Sequence, residues 1–373
     1  MRIGLVCPYN MWGGGGVQEC VLALQSELTA RGHHVKIITP LPRGHNGKKR
    51  RDVLTVGVST NIRAFSATQT QFSATVEVDA INLLLNKEKF DVLHFHEPSI
   101  PVLNRQILVR SRSANVATSH ATIPDGMMSK TIINMFNAYT KGLIKYIHTY
   151  SAVSEPAAMY IRGFTNEKIV IIPNGIDLKK YKETEKKAVQ HKTILYIGRL
   201  EKRKGLKYLL EAFQLLTKNH PDARLLIAGD GPLRSKLEEW VHENKVPRVK
   251  FLGFISDRRK LSLLNSADLF CSPALYGESF GIVLLEAMAM GLVTVAGNNP
   301  GYASVMKGEG RNSLVDPQNT KRFVSKLETY LYDEKERNRW KKWAKGYVKQ
   351  FDYPKIVDQY EKLYKTGLKN SKR

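Results

Sequence analysis

The sequence predicts an α/β protein made of two doubly wound parallel sheets, and three observations carry that expectation. Short apolar runs alternate with helix-periodic segments along almost the whole chain, the pattern that strand–helix–strand crossovers produce. At 373 residues the chain is long for one domain and suits two of roughly 150–200 residues each. The alternation breaks once, in a charged, apolar-poor stretch at 178–191, and then restarts.

MRIGLVC opens the chain as a buried strand, and a glycine-rich loop runs from Pro8 to Gly16. Val17, Val21, Leu24 and Leu28 then fall at helical spacing, up to Arg31 and Gly32. HVKIIT, DVLTVGV, DVLHFH, NVATSH, HTYSAV and KIVII read as further strands, with helices expected near 76–88, 99–112 and 127–145. Parallel sheets bind ligands at the carboxyl ends of their strands. Gly13–Gly16, His96, His120 and Ser154 each follow a strand and are expected to line one crevice. His94 and His96 are expected on opposite faces of their strand, unable to share a metal. Residues 1–177 make the first expected domain and 178–191 the linker. The second domain, 192–350, restarts as strand 193–197, helix 205–218, ARLLIAG, helix 233–244, VKFLG, helix 257–265, DLFCSP, helix 281–290 and LVTVAG. The basic residues 351–373 are expected to form a helix able to return onto the first domain. Two such domains are expected to face a central cleft.

Hydrophobic residues make up 42% of the chain, enough for two cores, which excludes a disordered tail carrier. The most apolar stretch, 281–297, is interrupted by Glu286 and by glycine, so no membrane span is expected. MRIGLVC enters a strand without the apolar core of a signal peptide. Cys7, Cys20 and Cys271 have no metal-ligand spacing, and a reduced, cytoplasmic protein is expected. The net charge of +24 calls for an anionic partner: lipid headgroups, nucleic acid or a polyphosphate substrate. Basic residues cluster at Arg43–Arg51 and in KKWAKGYVKQ and GLKNSKR. Trp340, Trp343 and Tyr347 among those lysines favour a membrane surface. Nucleic-acid binding is the rival from another class. It rests on charge alone, with no helix-turn-helix cue, and no nucleic acid is expected.

The chemistry concentrates in GESFGIVLLEAMAMG, Gly277 to Gly291, where Glu278 and Glu286 stand eight apart. A helix opening over Ser279–Val283 would present unpaired N–H groups and a positive dipole end, which suits a phosphate. Glu278 would then lie on the loop beside the anion and Glu286 about two turns further in, one carboxylate for a sugar and one for a ribose. GRLEKRKG, 198–205, follows a strand and sets Arg199 and Lys204 five apart, two cations suited to a diphosphate. The four glycines at 13–16 permit close backbone approach. They match neither the dinucleotide fingerprint nor a Walker loop. D-x-D is absent, so neither a bridging metal nor any cofactor is expected.

Taken in order, GGVQ, HEP, SH, AVSE, IPNGID, GRLEKRKG and the E-x7-E of GESFGIVLLE resemble the retaining glycosyltransferases of family 4, which have the GT-B fold. MRIGLVCPYN, GGVQ, FDVLHFHEP and GESFGIVLLEAMAMG are most similar to the phosphatidyl-myo-inositol mannosyltransferases of that family. The resemblance implies that Arg199 and Lys204 bind the donor diphosphate, which the loop at Gly15 and Gly16 approaches. Glu278 would hold donor-sugar hydroxyls, with backbone N–H groups from Phe280, Gly281, Ile282 and Val283, and Glu286 would hold the ribose. His120 would stand by the reacting sugar, completing a catalytic set of His120, Glu278, Arg199 and Lys204. Tyr9, Gln18, Asn61 and Arg63 would face a polyol headgroup. The implied reaction is a retaining hexosyl transfer from a nucleotide-diphosphate sugar, GDP-mannose first. Its acceptor would be a lipid or polyol such as phosphatidylinositol at the cytoplasmic membrane face. A UDP-sugar with a soluble acceptor is the alternative within the class, and a sugar-nucleotide epimerase is another.

Overall fold

The computed structural model describes residues 1–44, 50–63, 69–75, 77–122, 130–181 and 191–372. The chain divides into two compact units, Met1–Gly175 with Tyr353–Arg373, and Ile176–Asp352.

The first unit runs β1 (Arg2–Val6), α1 (Gly16–Ala30), β2 (His34–Pro42), β3 (Val53–Arg63), β4 (Gln69–Thr75), α2 (Val78–Glu88), β5 (Val92–His96), α3 (Leu103–Leu108), β6 (Ala114–Ser119), α4 (Lys130–Ile144), β7 (Thr149–Ala152), α5 (Glu155–Arg162) and β8 (Ile169–Ile171). Its eight strands lie in the order β4-β3-β2-β1-β5-β6-β7-β8. All neighbours are parallel except β3 and β4, so the expected all-parallel sheet gains one antiparallel edge strand. QTQFSAT carries too little apolar character to read as a strand alone; pairing with β3 makes it one. The helix expected over 99–112 spans only Leu103–Leu108; its late start follows from Pro98 and Pro101, which deny helical geometry to the residues before them.

Strand alternation sorts the core. Ile3 and Leu5 pack with Cys20, Val21, Leu24 and Leu28 of α1, whereas Val6 joins Ile38, Leu93 and Phe95 on the opposite face.

The second unit contains β9 (Lys192–Ile197), α6 (Leu206–Asn219), β10 (Ala223–Ala228), α7 (Arg234–Glu243), β11 (Val249–Gly253), α8 (Asp257–Ser266), β12 (Leu269–Ser272), α9 (Ile282–Ala289), β13 (Val293–Gly297), α10 (Pro300–Val305), β14 (Leu314–Val315), α11 (Thr320–Tyr332) and α12 (Glu334–Tyr347). Its six strands are ordered β11-β10-β9-β12-β13-β14, all parallel. The last helix, α13 (Tyr353–Asn370), packs in the first unit. Its Ile356, Val357, Tyr360, Leu363 and Tyr364 join the α1 cluster. Arg31 at the end of α1 adds ion pairs to Asp358 at 2.7 Å and Glu361 at 2.8 Å.

Of the expectations about basic segments, one lies largely outside the described residues and one changes. Residues 45–49 of the Arg43–Arg51 run lie outside the described residues, and so does most of 178–191. In α12 the aromatics are engaged in packing, Trp340 buried and Trp343 and Tyr347 half-buried. Trp340 is buried with its indole N–H donating to Ser313 Oγ at 3.3 Å. Trp343 stacks on Tyr347 with ring centroids 4.6 Å apart, and the Tyr347 hydroxyl donates to Val305 O at 2.8 Å. Trp340→Ala is therefore expected to lower unfolding stability by about 3–5 kcal/mol in denaturant titration. A loss under about 1 kcal/mol would be that of a surface residue and would contradict this packing. Among the described residues no helix is long and apolar enough to cross a membrane.

Candidate active site

The strand order of the second unit reverses between β9 and β12, and ligands of open parallel sheets bind outside the carboxyl ends at such a point. GRLEKRKG follows β9, and the segment with Glu278 follows β12. Leu275 N–H donates to Arg203 O at 2.8 Å, which ties the two loops together. Around this tie, Lys204 Nζ and Arg203 Nη1 both contact Glu278 Oε1, at 2.7 and 2.6 Å. Arg203 Nε reaches Glu201 at 3.0 Å, and Arg199 Nη2 reaches the other oxygen of Glu201 at 2.8 Å. Three cations thus face two carboxylates, leaving a positive excess where a diphosphate would be attracted. Sequence reasoning missed Arg203 and Glu201. Their signal was the run of three further charges inside GRLEKRKG, Glu201, Lys202 and Arg203, of which the loop's curl turns Arg203 onto Glu278.

Gly281, at φ 110°, caps α9, and the helix proper starts at Ile282, so Phe280 and Gly281 precede it. Glu286 consequently sits one turn into α9 rather than about two. A Cβ at Gly281 would meet the Tyr302 ring at 2.7 Å, so glycine is required there on two counts. The Ile282 and Val283 N–H groups, at the start of α9, have no acceptor within their own helix, whereas Leu284 N–H donates to Gly281 O at 3.0 Å. The Phe280 ring packs edge-on against Phe351 at 6.1 Å. Glu286 is only 5% exposed. Its Oε1 accepts from Tyr181 Oη at 2.8 Å and from Lys260 Nζ at 2.6 Å. Tyr181 and Lys260 were not found from sequence because they lie 105 and 26 residues away.

In the first unit the strand order reverses between β1 and β5. The loop after β1 is held by Asn10, whose Oδ1 accepts from Trp12 and Gly13 N–H at 3.1 and 3.0 Å, leaving Gly13, Gly14 and Gly16 exposed. Gly15, half-buried, is the N-cap of α1. Gln18 donates to Asn10 O at 3.5 Å, and Tyr9 O accepts from Thr39 at 2.7 Å. Tyr9 and Gln18 thus flank one loop. Asn61 and Arg63 fall in β3, and their side chains lie outside those described.

His96 ends β5 and His120 follows β6, with His96 Nδ1 and His120 Nε2 2.8 Å apart. The expectation that His94 and His96 point to opposite faces fails. Residues two apart on a strand share a face, and the two rings lie 4.2 Å apart. His94 is structural: its ring nitrogens meet Tyr364 Oη at 2.8 Å and Thr118 Oγ1 at 2.6 Å. Ser154 is structural too, its Oγ accepting from Ala157 N–H at the start of α5. Burial pushes the His120 pKa down to about 4, so the imidazole is neutral near pH 7 and acts as a hydrogen-bonding group. Glu97, buried and at φ 51°, accepts N–H groups of His120 and Ala121, both at 2.5 Å. Burial lifts its pKa to about 7 against the lowering effect of those two bonds. Glu97 fixes the backbone carrying His120, and its signal in the sequence was the HEP that follows a strand.

Two parallel-sheet α/β units, the second with a cation–carboxylate cluster at its strand-order reversal, define a glycosyltransferase of the GT-B class. The description "Glycosyltransferase Family 4" matches residues 14–180, and "Glycosyl transferases group 1" matches residues 177–347. The chain belongs to glycosyltransferase family 4. A phosphatidyl-myo-inositol mannosyltransferase of Mycolicibacterium smegmatis is 31% identical, covering 98% of this chain and 94% of its own length. One from Propionibacterium freudenreichii is 33% identical, covering 82% and 79%. Among solved structures, a sucrose-phosphate synthase from Thermosynechococcus elongatus shares the fold with a TM-score of 0.79 at 20% identity, covering 97% of this chain and 98% of that one.

Proposed function

We propose that this protein transfers mannose from GDP-mannose, with retention of configuration, to a polyol lipid of the phosphatidylinositol kind at the cytoplasmic face of a membrane. The observation that carries the donor half is the convergence of Arg199, Arg203 and Lys204 on Glu201 and Glu278 beside the start of α9. Fixed cations and helix N–H groups favour the diphosphate most as its bond to the sugar breaks and charge builds on the leaving oxygen. In this reading Glu278 accepts hydrogen bonds from sugar hydroxyls, and Glu286, held by Tyr181 and Lys260, accepts from the ribose. His120 gives a neutral hydrogen bond to the transferred sugar. The acceptor hydroxyl attacks on the face the diphosphate leaves, and its proton passes to the departing phosphate oxygen. The names of the two relatives support mannose and the inositol lipid. The net charge of +24 supports docking on an anionic surface without a span.

The test is a thermal-shift panel of nucleoside diphosphates and their sugars without added metal, followed by incubation with phosphatidylinositol vesicles. Ligand at 100 times its Kd stabilises by about 2.7 kcal/mol. GDP and GDP-mannose are expected to raise Tm, and vesicles to yield a mannosylated lipid with release of GDP. Stabilisation by uridine nucleotides alone would discard the mannosyl donor. Sugar conversion without release of nucleoside diphosphate would replace transfer by epimerisation.

A further inference from the structure

Cys20 of α1, His96 of β5 and His120 after β6 come from three distant stretches, yet one ligand-capable atom from each lies within 4.8 Å of the others. The three residues are 2%, 0% and 6% exposed. His96 Nδ1 and His120 Nε2 face each other at 2.8 Å. His96 Nε2 is buried and has no hydrogen-bond partner. We propose that Cys20, His96 and His120 form a binding site for a thiophilic d10 cation, with Zn2+ as the ion it fits.

The donor set decides the metal class. One thiolate and two imidazoles match Zn2+, whereas Mg2+ and Ca2+ require oxygen ligands. Tetrahedral Zn2+ has Zn–S near ~2.3 Å and Zn–N near ~2.0–2.1 Å, which sets two ligating nitrogens about 3.3 Å apart, so the imidazoles would part slightly from 2.8 Å as the cation enters. His94 is no ligand, since Tyr364 and Thr118 occupy both its ring nitrogens. Glu97 is spent on two backbone N–H groups. Three protein ligands therefore leave one position open, as in zinc sites that exchange a water or a small ligand. On binding, one Zn–S and two Zn–N bonds form and the Cys20 S–H bond breaks. The thiol proton goes to solvent, each imidazole keeps one proton on its other nitrogen, and nothing is oxidised or reduced. The site would tie down His120, so zinc would also inhibit sugar transfer. That consequence rests on the proposed function, whereas the site itself does not.

The experiment titrates the full-length protein with Co2+ as a spectroscopic stand-in. One equivalent should give a near-ultraviolet thiolate-to-cobalt band with visible tetrahedral bands, bleached by Zn2+. Cys20→Ser should lose the thiolate band and Cys271→Ser should keep it. No thiolate band in the wild type, or a band that survives Cys20→Ser, overturns the site. Should Cys20→Ser fail to fold, X-ray absorption of the zinc-loaded wild type decides. One sulfur at about 2.3 Å with two nitrogens at about 2.0–2.1 Å supports the site, and a shell without sulfur rejects it. These spectra report on the site even if no transferase activity is ever found.

Discussion

Alanine at both Arg199 and Lys204 is expected to weaken nucleoside-diphosphate binding by about 3–6 kcal/mol, at about 1.5–3 kcal/mol for each charge-assisted hydrogen bond removed. The two residues should not contribute equally. The Lys204 side chain is 16% exposed and shares Glu278 with Arg203, so water screens it little. Arg199 is 44% exposed and touches only the outer side of the cluster, so its share belongs at the lower end. Arg203 still holds Glu278 in the double variant, which keeps the loop in place and makes the loss one of ligand charge rather than of folding. Isothermal titration with GDP gives the number, and Tm of the unliganded variant checks the fold. Unchanged affinity with an unchanged Tm would remove these residues from diphosphate binding.

Gly205→Ala should be strongly damaging to the second unit. Gly205 stands at φ 68°, a conformation that costs about 1–3 kcal/mol for a residue with a side chain. Its added Cβ would also lie 2.0 Å from Pro273 O, a backbone atom that cannot swing aside. Pro273 follows β12 and Gly205 closes the cation loop after β9, so the clash would part the two loops at the strand-order reversal. Both stability and GDP affinity should fall. Gly346→Ala is the matched control. It places the same methyl in α12 with nothing within 4 Å, and should stabilise by about 0.5–1 kcal/mol. Equal denaturation midpoints for the two variants would show that the close approach at Gly205 does not exist in solution.

Much of this molecule was legible in one dimension. Strand and helix periods are local, so apolar alternation in MRIGLVC or TILYIG suffices to place an element. A motif after a strand lands at a carboxyl end whatever the sheet order. Hence Arg199, Lys204, Glu278, Glu286 and His120 could be named, along with a doubly wound α/β fold. Element edges were less legible. Gly281 delays α9 to Ile282, and QTQFSAT becomes a strand only beside β3, because pairing rather than propensity stabilises a polar edge strand.

What the sequence alone determined is therefore which segments fold and which charged residues stand at strand ends. Tertiary structure decided which of those residues meet. Arg203 finds Glu278 across 75 positions, Tyr181 finds Glu286 across 105, and Cys20 joins His96 and His120. It also turned Trp340 from a surface motif into core, with Trp343 half-buried beside it, and carried α13 into the first unit. The physical reason is that local periodicity encodes which face of an element is buried. Its partner is set by strand order and by long-range burial, which no window along the chain contains.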